Sequence, residues 1–319
     1  MKKPSPKTQR EKVERSEAER EMALINKKMG FMTLELQPRT WLDTGSKILN
    51  AVMGSEEKGI AYGKMIEISG PESHGKSLLS ALLTGLAEAD GAECCWVDLE
   101  NSLDRRWVKG QGISWDRLYR AYPKLVQESK KSKPRLQTAE EICTEVEMWM
   151  ERRHAKGVKK MFIVVDSVIA FLVEEESEAG NLDQNMRTKI SLAAFLSRLL
   201  RRWCALSQVY NATIIFINQL RMNPGQRFGN PEQTSGGKAL KFYCSIRVAV
   251  RRVKGGRLLQ KGKMVGLRGI ITNNKNKAGG GSEEGMKAGF KVRFPSDWGF
   301  LSAAKLKKDA AGGDEDGEE

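Results

Sequence analysis

The chain has 319 residues, 40% of them hydrophobic, enough for a sizeable core in one large α/β domain or two small ones. Lys and Arg exceed Asp and Glu by 54 − 40 = +14, which suits a polyanionic partner such as nucleic acid, or else an unspecialised basic surface. No apolar run approaches the ~18 residues of a membrane span and the N-terminus lacks a signal-peptide core, so the composition reads as a soluble, cytoplasmic protein with no membrane partner.

Residues 1–15 are rich in Lys, Arg, Pro and Glu and are expected to be mobile. Over 16–29 the spacing of Met22, Ile25 and Met29 predicts a short amphipathic helix stopped by Gly30, able to dock on the core or on a neighbouring subunit. From Thr33 to Val292, apolar strands alternate with helical stretches, the pattern of a mostly parallel sheet covered by helices on both faces. A short strand is expected at 64–69 (KMIEIS) and a Leu- and Ala-rich helix at 77–89. Runs at 94–99 (CCWVDL), 161–166 (MFIVVD) and 213–218 (TIIFIN) end in polar residues, as in buried parallel strands whose C-terminal ends face a site. Segments 245–253 and 258–272 flank Gly255 and Gly256 and are expected to pair antiparallel around a turn there. The chain closes on DAAGGDEDGEE, an acidic tail that either competes with nucleic acid for the basic surface or serves solubility.

Between strand 64–69 and helix 77–89 stands GPESHGKS, the G-x-x-x-x-G-K-S spacing of a phosphate-binding loop. Gly70 and Gly75 let the backbone turn, so that the stretch Gly70, Pro71, Glu72, Ser73, His74 and Gly75 can wrap phosphate oxygens. Lys76 adds a fixed positive charge, and Ser77 offers a hydroxyl to Mg²⁺. A carboxylate at a neighbouring strand end must then organise the Mg²⁺, and Asp166 fits. Glu100, just past strand 94–99, is the best candidate to deprotonate an attacking water; Asp98 is a rival whose place inside the strand suits a structural role. A third strand end offers Asn218 and Gln219, whose amides either bond a γ-phosphate or merely cap the strand.

The segment after Gln219, LRMNPGQRFGNPEQTSGGKALKFY, mixes turn formers with Arg221, Arg227, Lys238, Lys241 and Phe228. That composition suits single-stranded nucleic acid, where cations track the backbone and aromatic groups meet the bases. The five cysteines, Cys94, Cys95, Cys143, Cys204 and Cys244, form no CxxC pair and cannot complete a zinc site with His74 and His154, so no metal beyond Mg²⁺ is expected.

Seven stretches carry a collinear likeness to a known family: TGS at 44–46, GPESHGKS at 70–77, VDLENSLD at 97–104, VVDS at 164–167, INQLRM at 217–222, FGNPEQTSGGKALKFY at 228–243 and KNK at 275–277. Together they resemble the RecA family of ATP-dependent DNA strand-exchange recombinases; the stretch at 228–243 is the most specific, since related ATPases share the phosphate loop but lack it. The resemblance implies a RecA-type P-loop ATPase core over 37–303, preceded by a protomer-contact segment at 1–36 and followed by a disordered acidic tail at 304–319. ATP and Mg²⁺ are the implied cofactors, with Lys76 and Ser77 on phosphate and metal, Asp166 organising the metal and Glu100 as catalytic base. Gln219 becomes the γ-phosphate sensor coupled to a DNA-binding loop at about 221–235. Asp104, Trp107 and Phe294 are placed beside the nucleotide, and Met186, Arg198, Arg221, Met222, Arg227, Phe228, Gly229, Asn230, Gly236 and Gly237 at the DNA interface. Lys275 and Lys277 are implied to reach the γ-phosphate held by the adjacent protomer, as arginine fingers do elsewhere.

Three departures stand out. The first DNA loop, about 174–186, is acidic and matches poorly; AGGGSEEG is inserted after KNK; and the chain ends soon after Phe300, where the family carries a separate C-terminal domain. A trimmed member of this kind suits a bacteriophage. The implied function is homologous pairing and strand exchange by a helical filament of this chain on single-stranded DNA, with homologous duplex as second partner. Alternatives are an accessory ATPase that acts as a recombination mediator, and a hexameric helicase.

Overall fold

Runs of β-branched and aromatic residues with no Pro, such as MFIVVD and ATIIFIN, build the centre of the molecule because they fit a pleated surface buried on both faces. In the computed structural model the described residues are 21, 24, 28, 40–127, 133–174, 186–222, 232–278, 283–294 and 297–302, with backbone alone at 186–190, 221–222, 232–233, 297–299 and 301–302. The chain divides into two compact units, Met1–Gln37 and Pro38–Glu319. In the first, Glu21, Leu24 and Lys28 are helical and exposed; the rest of the expected protomer-contact segment and the acidic tail lie outside the described residues.

The main sheet has ten strands: β1 (Met65–Gly70), β2 (Glu93–Asp98), β3 (Tyr119–Ala121), β4 (Met161–Asp166), β5 (Ala212–Met222), β6 (Glu232–Thr234), β7 (Ile246–Gln260), β8 (Lys263–Asn276), β9 (Lys287–Arg293) and β10 (Asp297–Ser302). Their order is β10-β9-β8-β7-β1-β5-β4-β2-β3, with β6 added to β5. Neighbours from β7 to β3 run parallel, while β7 to β10 form an antiparallel meander and β6 returns antiparallel on β5. The helices are α1 (Lys47–Met53), α2 (Lys76–Ala89), α3 (Arg105–Gly110), α4 (Ala139–Ala155), α5 (Met186–Val209) and α6 (Ala239–Tyr243).

Strand alternation divides the buried apolar residues into two cores. Ile66, Ile68, Trp96, Val164 and Ile217 face one way and pack with Leu78, Leu79 and Leu83 of α2. Cys95, Val97, Ile163, Val165 and Phe216 face the other way and pack with Val146 and Met150 of α4 and Leu196 and Trp203 of α5. Both faces are covered, as the continuous apolar strands require.

One expectation fails. Gly255 and Gly256 do not turn the chain: β7 runs through them to Gln260, and reversal occurs at Lys261 and Gly262, whose φ angles of 50° and 75° fit a two-residue hairpin. Residues 253–256 instead form a bulge, since Arg252 pairs with Gly269 and Arg257 with Leu267. The sequence signal was a glycine pair, which serves a bulge as well as a turn.

Gly70 closes β1 where it lies against the next strand: a Cβ there would stand 2.3 Å from the Val250 carbonyl oxygen. That neighbour is backbone and cannot give way, so Gly70→Ala is expected to lower stability by about 1–3 kcal/mol, read as a smaller urea midpoint at unchanged slope.

Candidate nucleotide-binding site

The phosphate loop leaves the end of β1 and is shaped by two left-handed residues, Ser73 (φ 58°) and Gly75 (φ 96°), before α2 begins at Lys76. Gly75 caps α2 with no side-chain hydrogen bond, so the helix's first N–H groups remain available to an anion. Lys76 is only 9% exposed and its Nζ donates to the Pro71 carbonyl at 2.7 Å, folding the ammonium into its own loop. Burial lowers the Lys76 pKa while Asp166, Glu100 and Glu72 pull it back up. A partly dehydrated cation of this kind favours an incoming anion. Arg252 of β7 donates to the Ser73 carbonyl at 3.4 Å, and burial followed by the Arg252 charge holds His74 below the ordinary histidine range.

Two hydroxyl–carboxylate pairs lie beyond the lysine. Ser77 Oγ donates to Asp166 Oδ2 at 2.8 Å, and Ser167 Oγ donates to Glu100 Oε1 at 2.6 Å. Asp166 is 5% exposed; burial pushes its pKa up to about 6, and the nearby Glu100 and Asp98 charges add to the rise. A hydroxyl and one carboxylate, both oxygen donors, fit Mg²⁺, which keeps several waters and takes further oxygens from phosphate. No group of three or more His, Cys, Asp and Glu able to cage a metal occurs among the described residues.

The remaining candidates divide. Gln219 pairs in register with Gly70, so it stands at the strand end beside the loop. Asn218 does not: it is fully buried, and its Nδ2 donates to Glu67 Oε1 and to the Ser235 carbonyl, each at 2.9 Å. Asp98 accepts from the Ser102 and Leu103 amides at 3.0 and 2.9 Å, a structural tie that sets the turn carrying Glu100. Asp104 caps α3, accepting from the Arg106 and Trp107 amides at 2.8 and 2.9 Å, and Trp107 meets Trp96 edge-on with centroids 6.2 Å apart. Phe294 is 41% exposed, just past β9, with its N–H on the Val265 carbonyl.

Lys275 and Lys277 are not brought to the phosphate loop of their own chain. Lys275 pairs across β7 and β8 with Arg247, which stands level with Glu67, three residues before Gly70. Its Nζ donates to the carbonyls of Lys241, Phe242 and Cys244 at 2.8, 3.1 and 2.6 Å, capping the C-terminal end of α6. Lys277 is exposed.

For the proposed DNA interface, the backbone of Arg221 and Met222 pairs with β6, Met186 opens α5, and Arg198 is exposed on α5. Arg227, Phe228, Gly229 and Asn230 lie outside the described residues, as does most of the acidic segment 174–186. Gly236 (φ 83°) and Gly237 (φ 77°) have a packing reason to be glycine: a Cβ on Gly236 would lie 2.6 Å from Leu196 Cδ1 of α5, and one on Gly237 3.3 Å from Ala193 Cβ.

Comparison with known proteins places the chain in a family. The profile of the RecA N-terminal domain matches residues 19–285. The chain belongs to the RecA family. It is 35% identical over 220 residues to Protein RecA of Sulfurimonas denitrificans, covering 69% of this chain and 57% of that protein. It is 32% identical over 262 residues to Protein RecA of Rickettsia africae and of Rickettsia conorii, covering 80% of this chain and 69% of each of those. The α/β core with its large, mostly parallel sheet is thus the RecA-type fold.

Within this RecA-family core, sequence reasoning gave no role to Ser167, Arg252, Glu67 or Arg247. Glu67 had a signal, being the one charged residue inside the strand β1. Ser167 had only adjacency to Asp166; the arginines had none.

The raised Asp166 pKa makes a stability prediction for nucleotide-free protein. Its folded pKa of about 6 exceeds the ordinary 3.8, so the native state binds the extra proton: the contribution is full below pH 3.8 and lost as pH rises through 6. Asp166→Asn is therefore expected to be more stable than the parent at pH 8 by up to about 3 kcal/mol, with the gap closing towards pH 4, measured by urea unfolding in EDTA. A gap independent of pH overturns the assignment.

Proposed function

We propose that this chain is an ATP-dependent recombinase that assembles on single-stranded DNA and pairs it with a homologous duplex. The observation that carries the reading is the placement of Gln219: level with Gly70 at the phosphate loop, and on the strand that leaves the sheet to form the β5–β6 hairpin. Few arrangements could join nucleotide and nucleic acid by a shorter path. The chain's match spans 57% of the length of the Sulfurimonas protein.

Bound ATP with Mg²⁺ would supply the phosphoanhydride whose cleavage lets the assembly release its DNA. The protein's part follows from its own groups. On binding, Lys76 would exchange the Pro71 carbonyl for phosphate oxygens, and Ser77 and Asp166 would hold the Mg²⁺. Glu100, oriented by Ser167, takes the proton of the attacking water. Gln219 bonds the terminal phosphate and shifts the hairpin when that bond is lost. Lys275 and Lys277, remote from their own phosphate loop, act on the neighbour's nucleotide, which makes hydrolysis depend on assembly.

The deciding experiment is a strand-invasion assay with ATP and homologous duplex. Joint molecules are expected with homologous and not with heterologous duplex; ATP hydrolysis without joint molecules would favour an accessory ATPase or a helicase. Glu100→Gln is expected to bind ATP and assemble on DNA while hydrolysis falls about 10²–10⁴-fold, and unchanged turnover would refute its role as base. Because sequence-blind binding is dominated by phosphate contacts, log affinity for single-stranded DNA should fall linearly with log salt with a slope of about −0.7 per phosphate neutralised. A slope near zero would sink the DNA reading.

A further inference from the structure

One charged group deep in the sheet has no part in phosphate chemistry. Glu67 is fully buried in the middle of β1, beside strands β5 and β7, and its two oxygens are divided between them. Oε1 accepts from Asn218 Nδ2 of β5 at 2.9 Å, and Oε2 accepts from Arg247 Nε of β7. Asn218 Nδ2 also donates to the Ser235 carbonyl, just where the chain returns from the β5–β6 hairpin. Arg247 lies directly across from Lys275 on β8. A hydrogen-bonded path therefore runs from the hairpin's returning arm through Asn218 and Glu67 to Arg247, which stands in register with the lysine.

The far end closes on the same segment. Lys275 Nζ holds three carbonyls at the end of α6, and α6 follows Ser235 by only a few residues of chain. The near end is not fully spent: Asn218 Oδ1 and Ser235 Oγ are both buried with no hydrogen-bond partner among the described residues. A junction with an unused acceptor and an unused donor has a second hydrogen-bonded arrangement open to it when β6 shifts. A purely structural ion pair needs no such reserve.

We propose that Glu67, Asn218 and Arg247 form a positioning relay that ties the returning arm of the β5–β6 hairpin to the strand carrying Lys275. It rests on the reading that the hairpin meets DNA and that Lys275 serves a nucleotide. Glu67 supplies the charge that lets Arg247 lie half-buried opposite another cation, and Asn218 supplies the link that moves with Ser235. Displacement of the hairpin by DNA changes the hold on Glu67, hence the seat of Arg247 and the position of the facing lysine. The path is distinct from Gln219, which reports the nucleotide outward; this one reports the hairpin inward.

The test uses the whole chain and Asn218→Ala, since removing Arg247 would strand the buried Glu67 and removing Glu67 would leave Arg247 unpaired. The DNA-free hydrolysis rate and the KM for ATP should hold, while kcat with saturating single-stranded DNA falls about tenfold. By hydrogen exchange, DNA should change protection at 232–235 and at 241–244 together in the parent, but only at 232–235 in the variant. If Asn218→Ala does not fold, Asn218→Ser, which keeps one donor, should show the same changes in the same direction. Full DNA stimulation in a folded variant overturns the relay, as does a loss seen equally in KM and the DNA-free rate. A parent whose hydrolysis ignores DNA overturns the functional reading first, and the relay with it.

Discussion

A phosphate loop is only as useful as the strand that launches it is immobile, and here that strand is β1. It is buried along its whole length, pairs in parallel with β5 on one side and β7 on the other, and ends at Gly70 with no room for a Cβ. Everything placed around the loop inherits its position from this clamp: Gln219 from β5, Arg252 from β7, and Asp166 from β4 one strand further along. The Lys76 contact closes within the loop itself, and the Ser77–Asp166 contact ties the loop to the end of β4.

The same rigidity holds charges where water would normally not leave them. Lys76 and Asp166 are both nearly buried, and burial shifts each toward its neutral form. Without a ligand this is a strained electrostatic arrangement, partly relieved by the Pro71 carbonyl and the Ser77 hydroxyl. Those makeshift partners are the groups that nucleotide and metal are proposed to replace, so the cost of desolvation has already been met before binding.

Much of this was legible in the sequence, for a physical reason: buried parallel strands are continuous apolar runs, and their polar terminators mark the site. Asp166 came out at the end of β4 as expected, and Glu100 just past β2, because period and composition agree there. What could not be read depends on packing between strands far apart in sequence. By residue type alone Asn218 and Gln219 have equal claims and only the resemblance chose Gln219; strand pairing shows that the first reaches Glu67 while the second stands beside Gly70. The Gly255 and Gly256 pair misled because a bulge and a turn ask for the same residue. Gly236 and Gly237 were expected at the DNA interface, and the structure adds a neighbour the sequence does not show, since a Cβ on either would meet α5.

The division of alternate strand residues between two cores has a further consequence. In β2, Trp96 belongs to one core while Cys95 and Val97 belong to the other, and β4 and β5 follow the same rule. Adding or deleting a single residue within such a strand would exchange every inward group beyond that point between the two faces, setting large side chains into space shaped for small ones on both sides at once. Substitutions in these strands can be absorbed one face at a time, but changes of length cannot. Evolutionary drift in this molecule is therefore free to alter composition within the sheet, while insertions are pushed out to the connections between strands.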